Sequence, residues 1–278
     1  MDNLPRRFHA YCVGSAKSGT RSIAWMFSQN YRARHEPDAA DLIHRIMRLG
    51  QYSDAPENAL LDYLSARDQR LFLELESAHP LFYMIEGLVH LFPTAKFILT
   101  IRDCYTWLDS IVNQHYVIRT EPESKSNPWV SLLNSQYLRP DMKYTSEEWI
   151  LRENGLAPIE NYLSFWVRHN EKMLKVIPSD QLLIVRTHEL LLEMPRLADF
   201  IGIPKESLDS SKAHSHKRDD KKINLLSSVS WRFIEEKVRL HCKPLMSKFF
   251  PDIRDLNDLK ELNRQSLHNS VNAEWLGT

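Results

Sequence analysis

The amino-acid sequence predicts an α/β protein with a parallel β-sheet covered by helices on both faces. Short apolar runs typical of buried strands alternate along the chain with segments whose apolar residues recur at helical spacing. Strands that alternate with helices form parallel sheets, because each helix carries the chain back to the start of the next strand. With 278 residues, 43% of them hydrophobic and 26% charged, the chain has the length and composition of one globular domain over residues 1–278.

The individual elements can be placed from these patterns. Strands are expected at residues 8–14, 70–76, 95–103 and 181–187. Helices are expected at residues 20–31, 37–50, 56–70, 81–92, 105–118, 159–177 and 189–202. The polar segment 119–145, which contains Pro122, Pro128 and Pro140, is predicted to be a long loop inserted in the domain. Residues 228–278 are predicted to form a helical C-terminal segment that ends in a charged tail.

Charge and cysteine content limit the possible function classes. Lys plus Arg and Asp plus Glu both number 36, so the net charge is zero, which argues against a general nucleic-acid or membrane-surface binder. Cys12, Cys104 and Cys242 are too widely spaced for a metal or disulfide pattern. The N-terminus has no signal-peptide pattern, and no apolar run approaches the roughly 18 residues of a membrane span. A soluble, cytoplasmic protein is therefore expected.

The segment YCVGSAKSGTRS contains two glycines, Gly14 and Gly19, at the separation found in Walker A phosphate-binding loops. In a Walker A loop the lysine follows the second glycine, whereas here Lys17 lies inside the loop and Thr20 and Arg21 follow. A strand, such a loop and a helix N-terminus together bind anions, because backbone N–H groups point at the ligand. Hydroxyl donors are also available from Ser15, Ser18 and Ser22. The alternative interpretation is a tight strand–helix turn with a surface lysine and arginine.

A second motif follows the strand predicted at residues 95–103. In FPTAKFILTIRDCYTWLDS, Arg102 ends the strand and Ser110 comes eight residues later on the next helix. The guanidinium of Arg102 can bind a phosphate through two parallel hydrogen bonds. The alternative role for Arg102 is a surface ion pair with Asp103.

These two motifs, in this order, resemble the PAPS-dependent sulfotransferases. KSGTRS is similar to the loop of that family that binds the 5′-phosphosulfate, and Arg102 with Ser110 is similar to its 3′-phosphate site. The resemblance implies a P-loop-like sulfotransferase fold and transfer of a sulfuryl group from PAPS, with PAP released and no metal required. It also implies that Lys17 faces the oxygen that bridges phosphorus and sulfur, where negative charge develops in the transition state.

The chain departs from the family pattern in its adenine and C-terminal signatures. Arg21 and Ser22 occupy positions where many members have threonine and tryptophan. Trp25 can replace that tryptophan in stacking on adenine, or can belong to the core. Lys217 and Arg218, in the basic stretch HSHKRDDKK, either contact the 3′-phosphate or form a solvated charge run.

Two regions can supply the base that removes the acceptor proton. The segment after the first helix contains His35 and Glu36, and the end of the strand predicted at residues 70–76 is followed by His79. That strand also carries Glu74 and Glu76, which alternation places on one side, where adjacent carboxylates would raise each other's pKa. Glu36 is the preferred base and Glu76 the second choice, while substrate contacts are expected from His35, Glu74 and His79. Less favoured bases are Asp103, His115 and His188.

Two other functions remain open from the sequence alone. A P-loop-type ATP-dependent kinase is disfavoured by the position of Lys17 and by the lack of an apolar strand that ends in a metal-binding aspartate. A non-catalytic nucleotide-binding protein would bind the ligand without turnover. The sequence leaves the oligomeric state open.

The acceptor is expected to be a small molecule of natural product biosynthesis. Asp38 and Asp41 near one candidate base, and Glu74 and Glu76 near the other, would suit a cationic acceptor. Guanidinium natural products, such as a saxitoxin-like toxin of a cyanobacterial pathway, are one such class, and a member of this type would sulfate nitrogen.

Overall fold

The computed structural model describes residues 5–51, 57–122, 124–213 and 225–258. Within them, a five-stranded sheet has the strand order β2-β3-β1-β4-β5, and all neighbouring strands are parallel. The strands are β1 (Ala10–Cys12), β2 (Ala33–His35), β3 (Leu75–Ser77), β4 (Lys96–Ile101) and β5 (Leu182–Arg186). The predicted fold class, a parallel sheet of an α/β protein, is confirmed.

Helices connect these strands and follow the last of them. They are α1 (Thr20–Ser28), α2 (Ala39–Gln51), α3 (Glu57–Leu71), α4 (Ile85–Leu91), α5 (Cys104–Thr120), α6 (Pro128–Tyr137), α7 (Trp149–Glu153), α8 (Ile159–Val176), α9 (Met194–Ile201), α10 (Trp231–His241) and α11 (Lys243–Phe249). The helices predicted between residues 20 and 177 are all present. The helix predicted at residues 189–202 begins only at Met194, with Pro195 in its first turn.

The sheet is buried on both faces because alternate strand residues pack into two separate clusters. Tyr11, Phe97 and Leu99 point into the larger cluster, which includes buried side chains of α2, α5 and α8. Ala10 and Ile98 point to the other face, where they pack against α1 and α9. This two-sided burial explains why the strands read as continuous apolar runs in the sequence.

The strand predictions were wrong at two places. The strand predicted at residues 70–76 is shorter, because α3 continues to Leu71 and the sheet pairing starts only at Leu75. β2 was not predicted as a strand, since its three residues are too few to show an alternating pattern. β2 pairs with β3 at the edge of the sheet and brings His35 opposite Ser77.

The segment 119–145 is not a continuous loop, because it contains α6. Asn127 caps this helix by accepting a hydrogen bond from the backbone N–H of Trp129 at 3.0 Å, and Pro128 occupies the first turn. Leu132 and Leu133 are buried against the core. The proline that suggested a loop is therefore the start of a helix.

The described part of the C-terminal segment contains the helices α10 and α11. The helix is interrupted at Cys242, after which Pro244 lies in the first turn of α11. Among the described residues, no helix has the length and apolar character that crossing a membrane would need. The division of the chain into a single domain stays a prediction.

Candidate active site

The loop between β1 and α1 has the backbone geometry of an anion-binding turn. Lys17 and Gly19 both adopt left-handed conformations, with φ of 68° and 96°, and the N–H of Ser18 closes a turn on the carbonyl of Ser15 at 3.2 Å. α1 begins at Thr20 with no acidic residue in its first turn and no side-chain cap. Because the first backbone N–H groups of a helix have no partner within it, this end of α1 can receive an anion.

The loop carbonyls are held from inside the protein. The indole of Trp107 donates to the carbonyl of Ala16 at 2.9 Å, and the hydroxyl of Thr187 donates to that of Ser18 at 2.5 Å. His169 bonds the carbonyl of Val13 through Nε2 at 2.9 Å, and burial lowers the pKa of His169 to about 3, so this ring is neutral. With its carbonyls bonded inward, the loop is fixed in one conformation. No sequence motif indicates these three donors, because they lie far from the loop along the chain.

Ser18 stabilises the loop through its side chain. Its hydroxyl is buried and lies 2.7 Å from the carbonyl of Ser15 and 2.9 Å from the hydroxyl of Thr100 on β4. Gly14 is needed at this point because a Cβ there would lie only 1.9 Å from the Thr100 hydroxyl oxygen. The contact with Thr100 thus joins the loop to the neighbouring strand.

Lys17 and Arg102 meet at the edge of the sheet. Nη1 of Arg102 donates to the backbone carbonyl of Lys17 at 3.2 Å, and Nε donates to the hydroxyl of Thr106 at 2.9 Å. The ammonium of Lys17 donates to the side-chain oxygen of Gln114 on α5 at 3.3 Å. Burial lowers the pKa of Arg102, against the opposing effect of Asp103, but a guanidinium stays charged at neutral pH. The two sequence motifs therefore form one site.

Asp103 does not form the surface ion pair that was considered for Arg102. Its carboxylate is buried and caps α5, accepting a hydrogen bond from the backbone N–H of Thr106 at 2.8 Å. This cap leaves Arg102 directed at the loop. The capping role explains why an aspartate is present at position 103, so no part in proton transfer has to be assumed for it.

Ser110 lies on the side of α5 that faces the loop. Residues three and four apart share a helix face, and Ser110 falls between Trp107 and Gln114, which both bond loop residues. Ser110 is half-buried. The structure thus brings Ser110 to the same side of the sheet edge as Lys17.

Glu36 lies between two histidines immediately after β2. Its Oε1 is 3.4 Å from Nδ1 of His79, and its Oε2 is 3.6 Å from Nδ1 of His35. Nε2 of His35 in turn lies 3.2 Å from the hydroxyl of Thr20 in the anion loop. Burial raises the pKa of Glu36, but the hydrogen bond from His79 and the positive charges of His35 and Arg21 outweigh it and lower the pKa. Glu36 is a carboxylate at neutral pH, linked by His35 to the loop.

Glu76 has a different environment from the one predicted. Its side chain is 6% exposed and pairs with the equally buried Arg67 at 2.5 Å, while burial raises the pKa of its carboxyl against the effect of Arg67. Arg67 also donates to the carbonyl of Pro37 at 2.8 Å. Its role as a base stays a prediction, and these contacts are those of a structural ion pair.

Glu74 does not share a site with Glu76. It precedes β3, and its carboxylate binds Arg7 through two hydrogen bonds of 2.8 Å and the backbone N–H of Arg32 at 2.9 Å. Burial acts against ionisation, but the hydrogen bonds from Arg7 and Arg32 lower the pKa of Glu74 to about 2. The expectation that the two carboxylates raise each other's pKa is wrong, because each is held by its own arginine.

The other acidic residues near the candidate bases also have partners. Asp38 pairs with Arg70, and Asp41 accepts a hydrogen bond from the hydroxyl of Tyr63 at 2.9 Å. These contacts give no support to the predicted cationic acceptor. Among the described residues, no group of His, Cys, Asp and Glu side chains is arranged to hold a metal ion.

The remaining predicted site residues differ in their burial and in their contacts. Trp25 is half-buried, with the guanidinium of Arg21 over its ring at 5.8 Å, so it is not a core tryptophan. His115 is buried between Tyr162 and Asn134, where burial lowers its pKa to about 4. Ser15 and Ser22 are buried, whereas His188 is exposed. Lys217 and Arg218 lie outside the described residues.

The fold and this site together define a parallel α/β protein with a loop and a helix N-terminus of the anion-binding type at the carboxyl edge of its sheet. The chain belongs to the sulfotransferase family, because residues 11–209 match the family model described as sulfotransferase domain. The sequence resemblance is thereby confirmed at the level of the family, and sulfuryl transfer is the reaction of this class. Among curated proteins, none is similar enough in sequence to support a further comparison.

Several solved structures are similar to the chain. A sulfotransferase from Alicyclobacillus acidocaldarius is 15% identical, with 85% of this chain and 94% of that one covered and a TM-score of 0.46. A sulfotransferase from Mycobacterium avium is 12% identical, with 89% and 78% covered and a TM-score of 0.47. The sulfotransferase domain of a Synechococcus olefin synthase is 16% identical, with 96% and 97% covered and a TM-score of 0.40. The family assignment rests on the family match.

Proposed function

We propose that the protein transfers a sulfuryl group from PAPS to a hydroxyl or amine of a small-molecule acceptor and releases PAP. The observation that carries this proposal is the hydrogen bond from Arg102 to the backbone carbonyl of Lys17 at 3.2 Å. It joins the loop expected to bind the phosphosulfate to the arginine expected to bind the 3′-phosphate. The two groups are the two charged ends of one nucleotide, so a single ligand can engage both.

The residues present fit PAPS at both ends. The start of α1 offers backbone N–H groups and has no acidic residue in its first turn, and Lys17 adds a positive charge in the preceding loop. Arg102 and Ser110 lie on one side of the site, where a guanidinium and a hydroxyl can bind a second phosphate. PAPS supplies an activated sulfuryl group on the oxygen that bridges sulfur and phosphorus.

The chain's own groups then act on charge and on the proton. The acceptor oxygen or nitrogen forms a bond to sulfur while the bond from sulfur to the bridging oxygen breaks, and the electron pair stays with PAP. Lys17 stabilises the negative charge that grows on this bridging oxygen. Because this charge is larger in the transition state than in the ground state, the stabilisation accelerates the reaction. Glu36 takes the acceptor proton, since it is ionised, half-buried and joined through His35 to Thr20 of the loop.

Calorimetric titration with PAP, with ATP and magnesium, and with adenosine 5′-phosphosulfate tests the proposal. We expect PAP to bind most tightly, because only PAP fills both anion sites. Arg102→Ala should weaken PAP binding by about ten- to hundredfold, the range for a lost hydrogen bond to a charged group. Arg102→Lys keeps the charge but not the forked geometry. Its PAP affinity should lie between those of the wild type and Arg102→Ala.

Arg196→Ala is the matched control for this titration, because Arg196 is exposed and pairs with Glu193 on α9. It should leave PAP affinity unchanged. If ATP with magnesium binds best and Arg102→Ala has no effect, the sulfotransferase proposal fails and an ATP-dependent kinase becomes the better interpretation. Nucleotide binding without any turnover would instead favour a binding protein.

A further inference from the structure

His79 is held on both edges of its ring in the interior of the protein. Nδ1 lies 3.4 Å from Oε1 of Glu36, and Nε2 lies 3.4 Å from the side-chain nitrogen of Gln136 on α6. His79 is 1% exposed and Gln136 is 2% exposed, so water does not compete for these bonds. The indole of Trp129 stacks on the ring at a centroid distance of 5.2 Å. Few of the ring's possible orientations remain.

These partners define which nitrogen of His79 carries the proton. A carboxylate can only accept hydrogen bonds, so Nδ1, which faces Glu36, must be the donor. A neutral imidazole with a proton on Nδ1 has an acceptor at Nε2. The group of Gln136 that faces Nε2 is its NH₂, which can only donate. The two bonds agree on one neutral tautomer.

The groups that face Glu36 and His79 from the neighbouring elements differ in charge. Glu36 is faced on its other side by His35 and Arg21, which also favour its ionised form. On the side of α8, His169 interacts electrostatically with His79, and burial lowers the pKa of His169 to about 3, so it adds no charge. Tyr83 lies beside Gln136, and burial raises the pKa of its phenol, which is therefore neutral as well.

We propose that Gln136 is a positioning residue of the active site, which fixes His79 as the neutral Nδ1–H tautomer so that His79 orients Glu36. The proposal rests on the function proposed above, in which Glu36 accepts the acceptor proton. With Oε1 engaged by His79, the proton is received on Oε2, which lies 3.6 Å from His35. Protonation of His79 would require the Gln136 amide to give up its bond, so the proton stays on Glu36.

This assignment gives α6 a role beyond packing. Trp129 and Gln136 are seven residues apart, which places them on one face of the helix, and both contact His79. The polar segment that was predicted to be a loop thus supplies the residues that hold His79 in place behind Glu36.

The test is to observe the tautomer directly in the full chain labelled with isotopic nitrogen at histidine. Long-range proton–nitrogen correlation spectra distinguish a proton on Nδ1 from one on Nε2, and the signals of His79 are those that disappear in His79→Asn. We expect the wild-type protein to show the Nδ1–H tautomer at neutral pH. A proton on Nε2 in the wild-type protein would overturn the proposal without any variant.

Two substitutions of Gln136 then test whether this residue fixes the protonation of the His79 ring. In Gln136→Leu the donor to Nε2 is lost while Glu36 still requires a proton on Nδ1, so we expect Nε2 to become protonated as well in part of the population. In Gln136→Glu a carboxylate of the same shape faces Nε2, so both ring nitrogens should carry protons at neutral pH. An unchanged Nδ1–H tautomer in both variants would show that Gln136 does not set it.

Ser131→Ala, at an exposed position of the same helix, is the control and should leave the spectrum as in the wild type. PAP affinity is measured on the same samples and should be unchanged in Gln136→Leu, since the partners found for Gln136 are His79 and Tyr83, which lie outside the loop. If the tautomer is as expected but PAP does not bind, the sulfotransferase proposal fails while the hydrogen-bond assignment stands. If PAP binds and the tautomer differs, only the role of Gln136 fails.

Discussion

Glu36 directly follows β2, and Glu76 is the middle residue of the paired strand β3, but their surroundings separate them into different roles. The backbone N–H of Glu36 donates to the carbonyl of Ser77 at 2.8 Å, and Glu76 pairs with Arg34, so the two glutamates are close together on neighbouring strands. Glu36 is 21% exposed and faces two imidazoles, whereas Glu76 is 6% exposed and faces Arg67. A carboxylate beside neutral or titratable rings can exchange a proton, while one bound to a buried arginine cannot easily do so. The partner, not the position on the sheet, distinguishes the two residues.

The largest effect expected from this comparison is on turnover. Glu36→Gln should reduce the rate of PAP release from PAPS by about 10²- to 10⁴-fold, because the amide cannot accept the proton. PAP affinity and the melting temperature should stay close to those of the wild type. Equal turnover in the wild type and Glu36→Gln would mean that Glu36 is not the base.

Glu76→Gln should mainly affect folding. Removing the partner of buried Arg67 leaves a charge without compensation, which costs about 3–5 kcal/mol of the free energy of unfolding. The double substitution Arg67→Met with Glu76→Met should recover much of this loss, since it removes both charges. Urea unfolding measures both effects.

Asp38→Asn is the matched control for Glu76→Gln, because the Asp38–Arg70 pair is exposed and should contribute only about 0–1 kcal/mol. Normal stability of Glu76→Gln together with a loss of turnover would contradict the roles assigned to the two glutamates. Glu76 would then be the base, and Glu36 would have no part in proton transfer.

Acid sensitivity distinguishes Glu74 from Glu76, because the pKa of Glu74 is lowered and that of Glu76 is raised. The pKa of Glu74 is about 2 in the folded protein against an ordinary 4.5, so its ion pair stabilises the fold above pH 4.5. That contribution is lost as the pH falls from 4.5 toward 2. Glu74→Gln should therefore lose less stability than the wild type when urea unfolding is repeated at about pH 3. The exposed Glu153→Gln should behave as the wild type, and equal acid sensitivity in Glu74→Gln would contradict the assignment.

The smallest effect is expected at Ser110. Loss of one hydroxyl from the expected phosphate site should weaken PAP binding by about 1 kcal/mol, or about fivefold, in Ser110→Ala. Thr120→Ala, at the exposed end of the same helix, should have no effect on calorimetric affinity. Unchanged binding in Ser110→Ala would place the 3′-phosphate away from this face of α5.

The sequence was informative where a local pattern fixes the structure. The strand and helix on either side of Gly14 and Gly19 follow from apolar spacing and from the conformations that only a loop with glycines adopts easily. Arg102 and Ser110 could be placed because a strand end and a helix face are both set by short-range geometry. The family match over residues 11–209 covers both motifs.

The sequence did not indicate the features that depend on contacts between residues far apart in the chain. Nothing near Glu76 in the chain indicates that Arg67 neutralises it, and nothing near His79 indicates Gln136. Pro128 is compatible with a loop, but proline in a first helical turn is equally compatible with a helix start. The buried donors to the loop carbonyls, Thr187 among them, become visible only once the sheet brings β5 beside β4.

The most direct test of the account is sulfuryl transfer from radiolabelled PAPS to a panel of small alcohols, phenols and amines. The wild-type protein and Glu36→Gln are compared after both have been shown to bind PAP equally. We predict labelled product with at least one acceptor for the wild type and about 10²-fold less or lower for Glu36→Gln. Transfer at the same rate by both proteins, or labelled product only when ATP is supplied, would contradict it.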